Sequence, residues 1–303
     1  MNHCREFPRV SVIIPTYNRS WCLSEAIDSV LSQTFQNMEL IVVDDGSTDE
    51  TPALLSRYGD RLRVLRQSNR GVSAARNGGI QAARGNLITF LDSDDSWQPD
   101  KLARQVAFFN THPDAMICQT EEIWIRRGVR VNPKRRHRKP SGWIFEPSLA
   151  LCLVSPSAVM MRRELLEEMG GFDESLPACE DYDLWLRVSL RYPIHLIDDA
   201  LVVKRGGHDD QLSRQHSLDR YRIQSLVKIL GGEPLTDDQT RAAFTERAGL
   251  EEWRGDGQWG ELGVEHAAAG VVDVHLGDST VQSTVQCEPA LVCIADGCVI
   301  RVR

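Results

Sequence analysis

The chain has 303 residues, with 35 Lys and Arg against 43 Asp and Glu (net −8) and 42% hydrophobic residues. That length suits one large α/β domain or two modest ones with enough apolar side chains for a core. Acidity argues against a nucleic-acid partner, no window approaches the ~18–20 apolar residues of a membrane span, and the short polar start, Met1 to Val10, has no apolar signal core, so a cytoplasmic protein is expected.

Val10-Ser11-Val12-Ile13-Ile14 is a β-branched run ended by Pro15, which predicts a buried strand. Ser24 to Gln33 places Ala26, Ile27, Val30 and Leu31 at helical spacing. Glu39 to Val43 is a second strand, and Asp44-Asp45-Gly46-Ser47 is its turn. Asp49 is placed to cap the next helix, with Pro52 in its first turn. Leu62 to Leu65 predicts a third strand, Val72 to Ala83 a helix ended by Gly85, and Leu87 to Leu91 a fourth strand leading into Asp92-Ser93-Asp94-Asp95. Strand and helix alternate here as in a wound α/β sheet, whose ligands sit at the carboxyl ends of the strands. Three polar segments follow strands directly: Thr16 to Arg19, Asp44 to Ser47 and Asp92 to Asp95.

After Lys101 the pattern loosens. Residues 126–139 carry eight Lys and Arg with His137 and no acid, and read as a solvated loop, or as a surface for an acidic acceptor, a lipid-diphosphate carrier or anionic headgroups. Pro156 to Gly171 predicts a strand and a helix stopped by Gly170-Gly171. Tyr182 to Arg191 is amphipathic, and Leu196-Ile197 and Leu201-Val202-Val203 predict two short strands. From Gly231 the composition changes: residues 235–303 hold 12 acidic and 5 basic residues and no Lys. That tail reads equally as an added module, a disordered extension or an altered reading frame. None of the eight cysteines forms a C-x-x-C pair, so reduced thiols are expected.

Carboxylates crowd the strand end at Asp92 to Asp95, where a divalent cation holds such groups ionised and an acidic helix-capping turn is the plainer alternative. Residues 44–49 lack the P-loop pattern, and no G-x-G-x-x-G follows the first strand, which disfavours a nicotinamide site. In order, Val12 to Arg19, Val42 to Asp49, Gly71 to Asn77, Phe90 to Asp95, Gly170 to Asp173 and Glu180 to Leu186 resemble the family 2 glycosyltransferases over roughly residues 8–230.

The resemblance implies a GT-A fold: α/β, with a mostly parallel wound sheet and helices on both faces. Residues 8–100 would be a nucleotide-sugar-binding half and 101–230 an acceptor and catalytic half. Pro15, Thr16 and Tyr17 would line the base pocket, Asp45 would bond the base, and either Arg70 or Arg76 would hold the nucleotide. Asp92 and Asp94 match the D-x-D element around Ser93, Asp92 near the ribose and Asp94 on Mg²⁺ or Mn²⁺, with His208 as a further metal or diphosphate contact. Arg205 and Arg214 would offset diphosphate charge. Asp181 matches the general base of an inverting transfer.

The implied partners are a nucleotide-diphosphate sugar, UDP-sugar first, and a glycan or lipid-linked acceptor in surface polysaccharide assembly at the inner face of a bacterial membrane. The rival readings are a nucleotidyltransferase, whose Gly-rich loop is missing after the first strand, and an inactive GT-A-like binding protein, which would have lost acids that are present here.

Overall fold

A computed structural model of the chain describes residues 8–132, 137–207 and 218–252, together with the backbone of short strands between 265 and 302. The chain divides into two compact units, residues 1–222 and 223–303.

The first unit is built on one nine-stranded sheet in the order β3-β2-β1-β4-β8-β6-β9-β5, with β7 added to β6. Four strands are parallel: β1 (Val10–Thr16), β2 (Met38–Asp44), β3 (Arg63–Arg66) and β4 (Leu87–Phe90). β8 (Val159–Arg162) runs antiparallel to both β4 and β6 (Ile117–Arg126). β6 and β9 (His195–Gly206) are parallel, and β5 (Ser96–Trp97) closes the edge antiparallel to β9.

The pleat of β1 divides the core. Val10, Val12 and Ile14 face α1 (Leu23–Leu31) and α4 (Lys101–Thr111). Ile13 lies in the opposite core, whose helical residues come from α3 (Val72–Ala82), α6 (Arg163–Met169) and α7 (Glu180–Arg191). Successive strand residues point to opposite faces, so a run with no polar alternation needs helices on both. Each large apolar side chain buried this way contributes about 1.5–3 kcal/mol. Two shorter helices, α2 (Thr51–Ser56) and α5 (Phe145–Ala150), complete the unit. Asp49 does support the start of α2, accepting the Thr51 N–H at 2.9 Å. Gly170 ends α6 in the left-handed region, φ 73°.

Three expectations need correction. β1 continues through Pro15 to Thr16, whose carbonyl accepts the Asp45 N–H at 2.9 Å. The two short strands expected after residue 195 are one twelve-residue strand, β9, which absorbs its break as register shifts against Thr120 and Glu121 of β6. The basic run is built in part: β6 carries Arg126, β7 (Val129–Val131) folds back on it, and buried Lys139 pairs with Glu122 at 3.2 Å. Residues 133–136 lie outside the described residues.

Most of α8 (Leu218–Gly232) and all of α9 (Asp237–Glu252) belong to the second unit. α9 begins at a reciprocal cap formed by Thr236 and Gln239: Gln239 N–H donates to Thr236 Oγ1 at 3.2 Å, and Thr236 N–H to Gln239 Oε1 at 3.0 Å. Beyond it, β11 (Val272–Leu276) pairs antiparallel with β12 (Ser279–Ser283) and β15 (Cys298–Val302), and β10 (Glu265–Ala267) with β13 (Ala290–Val292), while β14 (Ile294–Ala295) joins β15. Among the described residues, no helix is long and apolar enough to cross a membrane.

Lys101 is 0% exposed. Its Nζ donates to Gln105 Oε1 at 2.7 Å and Thr89 Oγ1 at 3.3 Å, and no carboxylate pairs with it among the described residues. Burial therefore holds the ammonium well below the usual lysine value of 10.5. The unfolded chain keeps a proton here that the folded chain gives up, so stability rises with pH between the folded value and 10.5. Melting temperature of the natural protein should climb with pH across that window, and Lys101→Met should flatten the climb; parallel curves would contradict it.

Candidate active site

The loops after β1 and β2 are tied together by Asn18, which adopts φ 53°, a region that Asn tolerates better than most residues. Its Oδ1 accepts the N–H groups of Thr48 (2.8 Å) and Asp49 (3.3 Å), and its own N–H donates to Ser47 Oγ at 2.9 Å. This fixes the residues expected around a base. Pro15 and Thr16 are buried and Tyr17 is 45% exposed. Thr16 Oγ1 is buried with no hydrogen-bond partner.

Asp45 is buried, and its carboxylate is taken up by the loop that leads into α3. Oδ1 accepts from Gln67 Nε2 (2.7 Å) and the Arg70 N–H (3.0 Å), and Oδ2 from the Gly71 N–H (2.8 Å). Gly46 must be glycine here: its φ is 82°, and a Cβ would stand 2.9 Å from Asn69 N. Asp45 therefore shapes the wall of the site, with each oxygen already engaged.

The open choice between Arg70 and Arg76 separates into two different roles. Arg70 is exposed, 3.4 Å from Glu174, and borders a cavity of about 350 Å³ lined also by Gly71, Val72, Ser73, Leu176 and Pro177. Arg76 is 3% exposed. Its Nη2 donates to Asp92 Oδ1 at 2.8 Å and its Nη1 to Glu180 Oε1 at 2.5 Å, and the guanidinium lies 5.0 Å from the Phe172 ring centroid. One buried cation thus joins the Asp92 turn after β4 to the start of α7.

Ser93 is buried, and Asp92 and Asp94 are half-buried. The Asp92 N–H donates to Ser157 Oγ at 3.1 Å, and Ser157 Oγ–H donates to Asp95 Oδ2 at 2.7 Å. Asp95 also accepts the Arg205 N–H at 2.9 Å, so it anchors β9. Burial, with Asp92 and Asp94 nearby, lifts the Asp95 carboxyl well above the usual range, against the pull of Lys204.

At the head of α7, Cys179 is left-handed, φ 61°, followed by buried Glu180 and half-buried Asp181. Burial, reinforced by Asp181, pushes Glu180 up to about 7 even with Arg76 against it. Asp181 Oδ1 accepts the Tyr182 N–H at 2.7 Å and Oδ2 accepts the Cys152 S–H at 3.6 Å.

Sequence reasoning missed Lys204. The Arg205 side chain pairs with Glu25 of α1. Lys204, its strand neighbour, points the other way: Nζ donates to Ser155 Oγ at 3.0 Å, and Glu122, Asp95, Asp92 and Asp181 all hold its charge in place. The alternation of side chains along Val203-Lys204-Arg205 was the available signal, since a strand cannot aim two successive residues at one site. His208 and Arg214 lie outside the described residues.

The oxygens of Asp92 and Asp94 suit a hard divalent cation that keeps most of its positions for water and phosphate. Among the described residues, no group of three His, Cys, Asp or Glu forms a protein-only shell.

These strand ends lie along one edge of a mixed α/β sheet. The glycosyl transferase family 2 model matches residues 11–170, and the chain belongs to that family. An uncharacterized glycosyltransferase of Rickettsia felis is 34% identical over 221 residues, 69% of this chain and 36% of its own. An uncharacterized protein of Mycobacterium tuberculosis is 32% identical over 261 residues, 78% of this chain and 80% of its own. The chain spans about a third of the length of the first curated relatives it matches.

Among solved structures, Staphylococcus aureus TarS residues 1–349 with UDP-GlcNAc superposes with a TM-score of 0.65 at 23% identity, over 80% of this chain and 71% of that one. A mannosyltransferase of Pyrobaculum calidifontis with GDP-Man and Mn²⁺ superposes with a TM-score of 0.54 at 20% identity, over 84% and 77%. The fold is GT-A.

Removing one partner of a buried pair strands the other. Arg76→Met should lower unfolding stability by about 3–5 kcal/mol, seen as a lower urea midpoint at unchanged slope; a change under 1 kcal/mol, on the order of an exposed pair, would refute the clamp.

Proposed function

We propose that this chain is an inverting, metal-dependent glycosyltransferase that moves a sugar from a nucleotide-diphosphate sugar, UDP-sugar first, to a hydroxyl of a glycan or lipid-linked acceptor. The observation that carries this reading is the Arg76 guanidinium, which bonds both Asp92 and Glu180 and so brings the D-x-D turn and the neighbour of Asp181 to one point. TarS, a structural neighbour solved with UDP-GlcNAc, supports UDP as the first nucleotide to try.

In this reading Pro15, Thr16 and Tyr17 receive the base, on a wall shaped by Asp45 and the loop it holds. Arg70 stands at the rim of the nucleotide site, and Arg76 acts from within the wall by fixing Asp92. Asp92, Ser93 and Asp94 face the ribose and diphosphate. Asp94, with Asp92 and His208, would hold Mg²⁺ or Mn²⁺, which when bound neutralises charge on the diphosphate.

Asp181 accepts the proton of the acceptor hydroxyl while that oxygen attacks the anomeric carbon. The bond from that carbon to the diphosphate oxygen breaks as the new one forms, and the diphosphate leaves with the electron pair. A single displacement inverts configuration, with no second carboxylate needed as nucleophile. Lys204 is a fixed cation among the acids on this side of the site.

Thermal stability against UDP, GDP and dTDP, each with and without Mn²⁺, tests the donor site. A nucleotide at ~100 times its dissociation constant stabilises by about 2.7 kcal/mol. UDP should do so with Mn²⁺ in the natural protein and far less in Asp94→Ala; no shift with any nucleotide would sink the reading. Asp181→Asn should lower kcat by about 10²–10⁴-fold and keep the UDP shift, as calorimetry and a UDP-release assay would register; an active Asp181→Asn would move the base elsewhere.

A further inference from the structure

Two buried cations beside the site hold carboxylates directly. Arg76 bonds Asp92 at 2.8 Å and Glu180 at 2.5 Å, and Lys139 meets Glu122 at 3.2 Å. Lys204 is placed differently. Among the described residues its Nζ makes one hydrogen bond, to Ser155 Oγ at 3.0 Å, and no ion pair. The Ser155 hydroxyl also bonds Glu122, which fixes the point where the ammonium is held. An ammonium carries three N–H donors, so two are left open on a side chain that is only half-buried and can be reached by a ligand.

The strands aim this charge at the reacting groups. Lys204 pairs with Trp124 of β6, and the preceding Val203 with Ser96 of β5. Asp95 takes the Arg205 N–H at 2.9 Å, so the backbone beside Lys204 lies against the D-x-D turn. The Arg205 side chain goes to Glu25, and alternation along the strand sends Lys204 to the other face. Burial alone would lower Lys204, yet Glu122, Asp95, Asp92 and Asp181 together hold it above the usual lysine value of 10.5. Glu122 is claimed by Lys139 at contact distance, and Asp95 already accepts from Ser157 and Arg205. Lys204 is thus a fixed positive charge facing both the Asp92 turn and Asp181, short of an acid of its own.

Resting on the transferase reading, we propose that Lys204 is a catalytic residue whose open N–H donors bond the leaving diphosphate. In the displacement, the bond from the anomeric carbon to the diphosphate oxygen breaks and its electron pair goes to that oxygen, while the acceptor proton goes to Asp181. Negative charge therefore grows on the diphosphate, and a positioned ammonium stabilises it more than it stabilises the intact donor. Lys204 keeps its proton throughout and supplies charge alone. A purely structural cation fits less well, since it would gain most from direct contact with a carboxylate, as Arg76 and Lys139 do. A hydroxyl of the donor sugar would occupy the open donors without matching the charge.

Calorimetry of the full chain with UDP and with uridine, both in Mn²⁺, tests the contact. The natural protein should bind UDP at least tenfold more tightly than uridine. Lys204→Met should lose at least tenfold in UDP affinity, bind uridine as before, and slow UDP release from UDP-GlcNAc by about 10²-fold. Lys204→Arg, which keeps the charge, should recover part of both losses. Mn²⁺ alone should bind Lys204→Met at least as well as the natural protein, because the nearby acids lose a competing cation. Unchanged UDP affinity, an unchanged rate, an equal loss for uridine, or weaker Mn²⁺ binding would each overturn the proposal. Lys204→Gln, which keeps a donor for Ser155, takes the place of Lys204→Met if that variant does not fold, and is judged by the same outcomes. A natural protein that binds no UDP would overturn the donor reading itself, and the role of Lys204 with it.

Discussion

One guanidinium holds the site together. Arg76 is buried on α3, yet its two bonds reach the turn after β4 and the first residue of α7, elements more than eighty residues apart in the chain. Taking buried charges such as Arg76 and Glu180 out of water is costly, and the attraction offsets that cost only with close geometry and bonded oxygens. The arrangement leaves Arg76 Nε without a partner, so the clamp is strong at its two ends and under-satisfied at its root. Moving either carboxylate requires moving the other, which makes the strand-end turn and the helix head one mechanical part.

Around that clamp, two further acids at the strand ends also hold the fold. Asp45 holds the loop entering α3, and Asp95 holds β9 through the Arg205 N–H and Ser157. Backbone donors offset the charge of Asp45, whereas burial outweighs the pull of Lys204 on Asp95. Asp92, Asp94 and Asp181 are the half-buried ones, and in the proposed chemistry they are the ones that meet substrate. The division follows exposure: a fully buried carboxylate must find donors within the fold, whereas a half-buried one can exchange water for a ligand.

Most of the fold was legible because the motifs sit where strands end. The apolar runs Val10 to Ile14, Glu39 to Val43 and Leu87 to Leu91 are nearly unbroken, a pattern that only a sheet covered on both faces explains, and the polar residues after each run fall at one edge. The family resemblance reached the same segments. Individual roles were harder to read. Arg70 and Arg76 are six residues apart on paper, and only the packing of Phe172 and Glu180 puts one inside and the other at a cavity rim. β9 was read as two pieces because its polar middle, Asp198 and Asp199, hides a strand continued through register shifts. The basic run looked like a loop by composition, since charge counts carry no information about the partner strand that holds Arg126 and Val129 in a ladder.

The strand order also bears on how the protein behaves in a crowded solution. A sheet this wide ends in two open edges, and an open edge is a template for another chain's backbone. On one side the terminal strand β3 spans four residues and begins and ends with Arg63 and Arg66. On the other, β5 is two residues long and offers almost no ladder to copy. Where β6 outruns β8, β7 covers the exposed ladder and carries Arg130 at its centre. Each edge is thus too short or too charged for strand addition, which favours colloidal stability over edge-to-edge stacking even at concentrations where a flatter, longer edge would seed fibres.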